Sequence, residues 1–72
     1  MFPKSILCWR NRFSGEEGYV LSVSPKKGYF ESTKDRTKAK VYVNNGLFQK
    51  DMLFLNSIGE TNQNEFYLIQ IA

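Results

Sequence analysis

Lys38, Lys40, Tyr42 and Asn44 alternate with Ala39, Val41 and Val43, and the polar half of that alternation is the pattern richest in binding chemistry. In an extended strand residues two apart share a face, so the spacing predicts two cations, a phenol and an amide in one row. Upstream, Lys26, Lys27 and Gly28 run directly into Tyr29 and Phe30. Single-stranded nucleic acid is held by this combination, cations on phosphates and flat rings on bases, each stacked base contributing roughly 1–3 kcal/mol. Arg10 and Arg12 share one parity of an N-terminal strand. They either extend the basic surface or keep that strand soluble as a sheet edge.

No comparable pattern supports catalysis. The chain has no histidine and one cysteine, so Cys8 lacks the usual base partner of a thiolate nucleophile. Within Ile6-Leu7-Cys8-Trp9 it reads as a buried thiol packing as a small hydrophobe, and Trp9 reads as core. There is no metal-ligand spacing, no phosphate-cradling glycine loop and no serine nucleophile elbow. Glu16 and Glu17 fall in a turn, where both carboxylates are expected to be solvated, and they do not read as a catalytic pair. The expectation is a binding protein, not an enzyme, with no cofactor and no metal.

The elements that must carry these residues are strands. Residues 5–13 read as a first strand, with Leu7, Trp9 and Phe13 on one parity and Arg10 and Arg12 on the other. Ser14–Gly18 is a turn, 19–24 a second strand, Pro25–Gly28 a second turn and 29–32 a third strand. A polar loop over 33–37 leads to a strand over 38–44, with Ala39, Val41 and Val43 facing inward. Asn44-Asn45-Gly46 makes a turn. Leu47, Phe48, Asp51, Met52 and Leu55 fit one helical face, but a helix of that length is marginal alone, so the reading favours a short turn at 46–50 and a strand over 51–55. A polar loop, 56–64, precedes a last strand over 65–71. Five or six short strands near ten-residue spacing predict a mostly β fold, a small closed antiparallel barrel.

Seventy-two residues make one domain with a thin core. Six Phe, four Tyr and one Trp exceed what so small a core needs, which places some aromatics at the surface. Net charge is +3, and residues 26–40 hold six bases against Glu31 and Asp35, a local +4. Residues 41–72 hold Lys50 against Asp51, Glu60 and Glu65, a local −2. The N-terminal run is too short and too charged for a signal peptide, and no stretch approaches the roughly 20 apolar residues of a membrane span. With a single thiol, the expectation is a soluble cytoplasmic protein that does not engage a membrane.

Gly18-Tyr19-Val20, then Lys27-Gly28-Tyr29-Phe30, then Lys40-Val41-Tyr42-Val43-Asn44 resembles a cold-shock domain, whose motifs read Gly-x-Val, Lys-Gly-Phe-Gly-Phe and Val-Phe-Val-His. Lys50-Asp51-Met52-Leu53-Phe54 is similar to the Gly-Asp-x-Val stretch opening the fourth strand of many OB domains. The resemblance covers residues 18–71 and implies an OB-like barrel there, with 1–17 as an extra N-terminal strand and turn; a Src-homology-3-like barrel is the alternative. It also implies a stacking face of Lys27, Tyr29 and Tyr42, with Asn44 in the place of the family's histidine. Ser22-Val23 stand where the family has an adjacent aromatic pair. The expected ligand is single-stranded RNA or DNA, held by Lys26, Lys27, Tyr29, Phe30, Lys38, Lys40, Tyr42 and Asn44, with Arg10 and Arg12. The alternative is a protein-interaction module, an accessory or inhibitor protein of phage or mobile-element type, that docks a partner through the same face.

Overall fold

Residues 5–9 are apolar on both parities from Ile6 onward, and such a strand is stable only when both of its faces are covered. In the computed structural model, which describes residues 2–71, this segment forms β1 (Ser5–Asn11), and Ser5 to Trp9 are all buried. β2 (Glu17–Ser24) and β3 (Tyr29–Thr33) complete an antiparallel meander. A 3-10 turn over Arg36–Lys38, a two-residue β4 (Val41–Tyr42), helix α1 (Asn45–Ser57), the single-turn α2 (Glu60–Gln63) and β5 (Asn64–Gln70) follow.

β1 is the axis of the sheet. β5 runs antiparallel along its whole length, from Ser5 opposite Gln70 to Asn11 opposite Asn64. The other edge of β1 is shared, Cys8–Arg10 pairing with β2 and Ser5–Ile6 with β4. Residues 5–11, expected to be an added strand, are thus the one element that touches three of the other four strands. The five strands curl into a half-barrel. Its seam lies between β3 and β5, which are not paired, although Phe30 and Phe66 meet edge-on across it with ring centroids 5.7 Å apart.

The concave side holds the main core, Leu7, Trp9, Val20, Tyr42 and Leu55, with Val23, Phe30, Phe48, Met52, Phe66 and Leu68 packed around it. Trp9 lies flat against Gly18, whose position leaves no room for a Cβ: one built there would stand 2.7 Å from the indole Cζ2. The Lys34 ammonium sits 5.1 Å from the Trp9 ring centroid. On the convex side Ile6, Cys8 and Ala39 form a smaller cluster with Tyr19 and Ile69. No helix among the described residues is long and apolar enough to cross a membrane.

Three expectations are corrected. The first strand stops at Asn11, not at residue 13, because the Asn11 side-chain carbonyl accepts from the backbone N–H of both Phe13 and Ser14 at 2.9 Å and turns the chain. Phe13 is consequently 82% exposed and takes no part in the core.

The strand expected over 51–55 is the middle of α1. Asn44 accepts from Leu47 N at 2.8 Å as its N-cap, a bond typically worth about 1 kcal/mol. Phe48, Met52 and Leu55 then fall on the buried face together with Asp51, and Gly59 in the left-handed region (φ 82) ends the run beyond the Ile58 cap. Packing against β4 and the core supplies the stability that an isolated helix of this length lacks.

The strand expected over 38–44 shrinks to Val41–Tyr42 with the opposite facing: Val41 and Val43 are exposed and Tyr42 is 1% exposed. A tyrosine ring buries more apolar area than a valine, provided its hydroxyl finds a partner. Asp51 on α1 is that partner, and Phe48 meets the ring edge-on at 6.0 Å. With two of the six expected strands lost or shortened, the barrel is left half-closed.

Candidate nucleic-acid interface

The β2–β3 turn is built by Pro25 to Gly28. Lys27 N and Gly28 N both donate to Ser24 O, at 3.0 and 2.9 Å, and Gly28 takes φ 77 to return the chain into β3. This throws Lys26 and Lys27 outward at the tip. α1 passes beside the tip and adds Lys50. Together Ser24, Pro25, Lys26, Lys27 and Lys50 line a concavity of about 490 Å³ with mainly apolar walls and no acidic residue. None of the three ammonium groups makes an ion pair among the described residues. Tyr29, directly opposite Ser24 in the ladder, is 46% exposed at the base of the same hairpin.

Of the seven remaining cations, three form ion pairs among the described residues. Lys40 pairs with Asp51 at 2.7 Å, Lys34 with Glu16 at 3.8 Å while also donating to the Glu17 carbonyl, and Arg12 with Glu65 at 3.4 Å and the Thr61 carbonyl at 3.2 Å. Arg10 is exposed on the convex face, in register between Glu17 and Glu65. Lys38 is exposed at the end of the 3-10 turn.

The row expected over 38–44 does not exist as a surface. Tyr42 is core, Lys40 is tied to Asp51, and Asn44 spends its side chain on the helix cap. Phe30 is half-buried against Phe66. Of the expected residues, the fold keeps Lys26, Lys27 and Tyr29 together and leaves Lys38, Arg10 and Arg12 elsewhere. Burial first, then the hydrogen bond to Asp51 and its charge, hold the Tyr42 phenol far above its ordinary pKa.

Sequence reasoning missed Lys50, which lies in the acidic C-terminal third and reaches the hairpin only because 45–57 is helical. It also missed a register row on the convex face, Tyr19–Cys8–Tyr67 across β2, β1 and β5. No spacing signal announces that row, because register between distant strands is not written in either strand alone. Cys8 is 2% exposed there. Burial raises its thiol pKa, with Arg36 opposing and Glu17 adding to the shift.

No family model, curated protein or solved structure matches the chain. The chemistry of the surface is therefore the guide to its use. Among the described residues no group of three or more His, Cys, Asp or Glu is placed to hold a metal ion. The hairpin tip instead offers uncompensated positive charge, carbon walls and a neighbouring ring, which suits an anionic chain with flat hydrophobic parts.

Proposed function

We propose that the protein binds single-stranded nucleic acid without catalysing a reaction on it, and that phosphates are held at the β2–β3 turn by Lys26, Lys27 and Lys50. One observation carries the reading: three lysines from two separate elements converge without a counter-ion, in a chain that pairs Lys40, Lys34 and Arg12. Tyr29 offers a ring for base stacking beside them. The half-barrel is read as an open barrel of OB type, a class in which the face of strands 2 and 3 contacts oligonucleotides.

Fluorescence anisotropy with short oligo-dT and oligo-U at low salt tests this. Binding should weaken steeply as salt rises, and Lys26→Ala/Lys27→Ala/Lys50→Ala should abolish most of it. Absence of binding at high micromolar protein overturns the reading.

A second reading, a protein-interaction module, is favoured by the convex row Tyr19–Cys8–Tyr67, where Arg10 is balanced by Glu17 and Glu65. A near-neutral aromatic surface suits a protein better than a polyanion. Partners that survive nuclease treatment of a lysate, and are lost on Tyr19→Ala, favour it.

A further inference from the structure

The positive charge of the β2–β3 hairpin stops at its tip. Lys26 and Lys27 stand in the turn with Lys50 of α1 beside them, but neither β2 nor β3 carries a lysine or arginine. The next cation along the chain, Lys34, is paired with Glu16. Glu31 lies two residues from Tyr29, hence on the same face of β3, where it is exposed and accepts from Ser22 Oγ at 3.3 Å. A single strand bound along its length needs cations that track its backbone. A phosphate chain leaving the turn along this hairpin meets a carboxylate instead.

The concavity at the tip suits concentrated charge. Lys26, Lys27 and Lys50 line about 490 Å³ together with Ser24 and Pro25, and no lining residue is acidic. Asp51, next to Lys50 in sequence, is buried and held by Tyr42 and Lys40. Within the turn, Ser24 O accepts from both Lys27 N and Gly28 N and Pro25 has no N–H, which leaves Lys26 N–H without a backbone acceptor among the described residues. Low-dielectric walls lined by one sign of charge focus the field inside a cleft. Lysine binds phosphate as a point charge, not through a planar fork, so its attraction follows the charge of the ligand.

On the nucleic-acid reading proposed above, we infer that this concavity receives the phosphorylated end of a strand and not its middle, with Lys26, Lys27 and Lys50 around one terminal phosphomonoester. A phosphodiester inside a strand carries a single negative charge, whereas a phosphomonoester carries about −1.5 to −2 at neutral pH. The terminal group therefore concentrates its charge where the protein concentrates its own. An end also needs only one way out of the concavity. A tract needs two, and the way along the hairpin leads past Glu31.

Competition anisotropy with unlabelled oligo-dT in three forms is the test: 5′-phosphorylated, 3′-phosphorylated, and hydroxyl at both ends. At least one phosphorylated form should bind about fivefold or more tightly than the hydroxyl form, the effect of one added charge near an ammonium group in water. The form that gains identifies the end. A chain without histidine has no side chain of ordinary pKa between about pH 5.5 and 7.5, whereas a phosphomonoester takes up a proton near about pH 6. The preference should therefore shrink as pH falls from about 7.5 to about 5.5, with the affinity of the hydroxyl form unchanged. Lys50→Gln should lower the preference, and Lys38→Gln, on the 3-10 turn, should not. Equal affinity of all three forms overturns the inference and leaves the nucleic-acid reading standing. A preference that survives Lys50→Gln undiminished, or that persists unchanged at the lower pH, overturns the inference as well. Binding of none of the three forms overturns both.

Discussion

Tyr42 donates its hydroxyl to Asp51 Oδ2 at 2.5 Å, and Lys40 Nζ reaches the same oxygen at 2.7 Å. One carboxylate oxygen on α1 thus fastens the segment on either side of Val41. The three groups differ in what their removal leaves behind. Asp51→Ala strands a buried hydroxyl and should cost about 2–3 kcal/mol; Tyr42→Phe removes one charge-assisted bond and should cost about 1.5 kcal/mol. Lys40→Ala removes a partly exposed ion pair and should cost under about 1 kcal/mol. Urea titrations at constant m-value give the order Asp51 > Tyr42 > Lys40, and a reversed order would mean that α1 is held elsewhere.

The same contact sets a dependence on pH. The folded-state pKa of Tyr42 is raised, by burial first and by Asp51 second. An unfolded tyrosine ionises near about pH 10, so above that value the native state retains a proton that the unfolded state has lost. Stability is full below about pH 10 and falls as pH rises, by up to about 1.4 kcal/mol per pH unit from this group. Tyr42→Phe should show a flatter decline between pH 10 and 11.5. Parallel curves for the two proteins would remove Tyr42 as the cause.

Gly18→Ala tests the closeness of β2 to the Trp9 indole. An added Cβ would meet Cζ2 at 2.7 Å and Cε2 and Nε1 at 2.8 Å, so either the ring or the strand must move. Overpacking of this kind costs about 1–3 kcal/mol, and each kcal/mol lowers Tm by about 4–8 °C in a domain of this size. Thermal unfolding followed by tryptophan fluorescence reads both the loss and the displaced ring; an unchanged Tm would show that the indole has room to shift.

Cys8 is expected to be a slow thiol. Only the thiolate reacts, and burial disfavours it more than Arg36 restores it. Labelling with a disulfide reagent at pH 8 should be slow in buffer and fast in urea. Arg36→Glu should slow it further by removing the one favourable charge.

The meander was legible in the sequence because its punctuation is local: Gly15 and Gly28 take φ 75 and 77 at the two turns, as the Ser-Gly and Pro-Lys-Lys-Gly sequences require. Cys8 and Trp9 were legible as core for similar reasons. The segment 38–57 was not, and its two misreadings are one event. Reading 51–55 as a strand removed Asp51 as a partner for Tyr42, and without that partner the ring belonged outside with Lys40. Asn44 carried the missing signal, since a helix cap and a turn use the same side chain. At the β2–β3 hairpin, Lys26, Lys27 and Tyr29 were visible because they adjoin in sequence. Lys50 became visible only with the helix.

β1 pairs end to end with β5, so the most N-terminal and most C-terminal strands of the fold are ladder partners. Contacts so distant in sequence demand that loop-closure entropy be met before they contribute, which slows folding toward the millisecond-to-second range of β-rich domains. Until β5 arrives, one edge of β1 is unmatched and Ile6 to Trp9 remain available to any other extended chain. The long-range β1–β5 pairing therefore ties the rate of folding to the length of the interval in which β1 is uncovered.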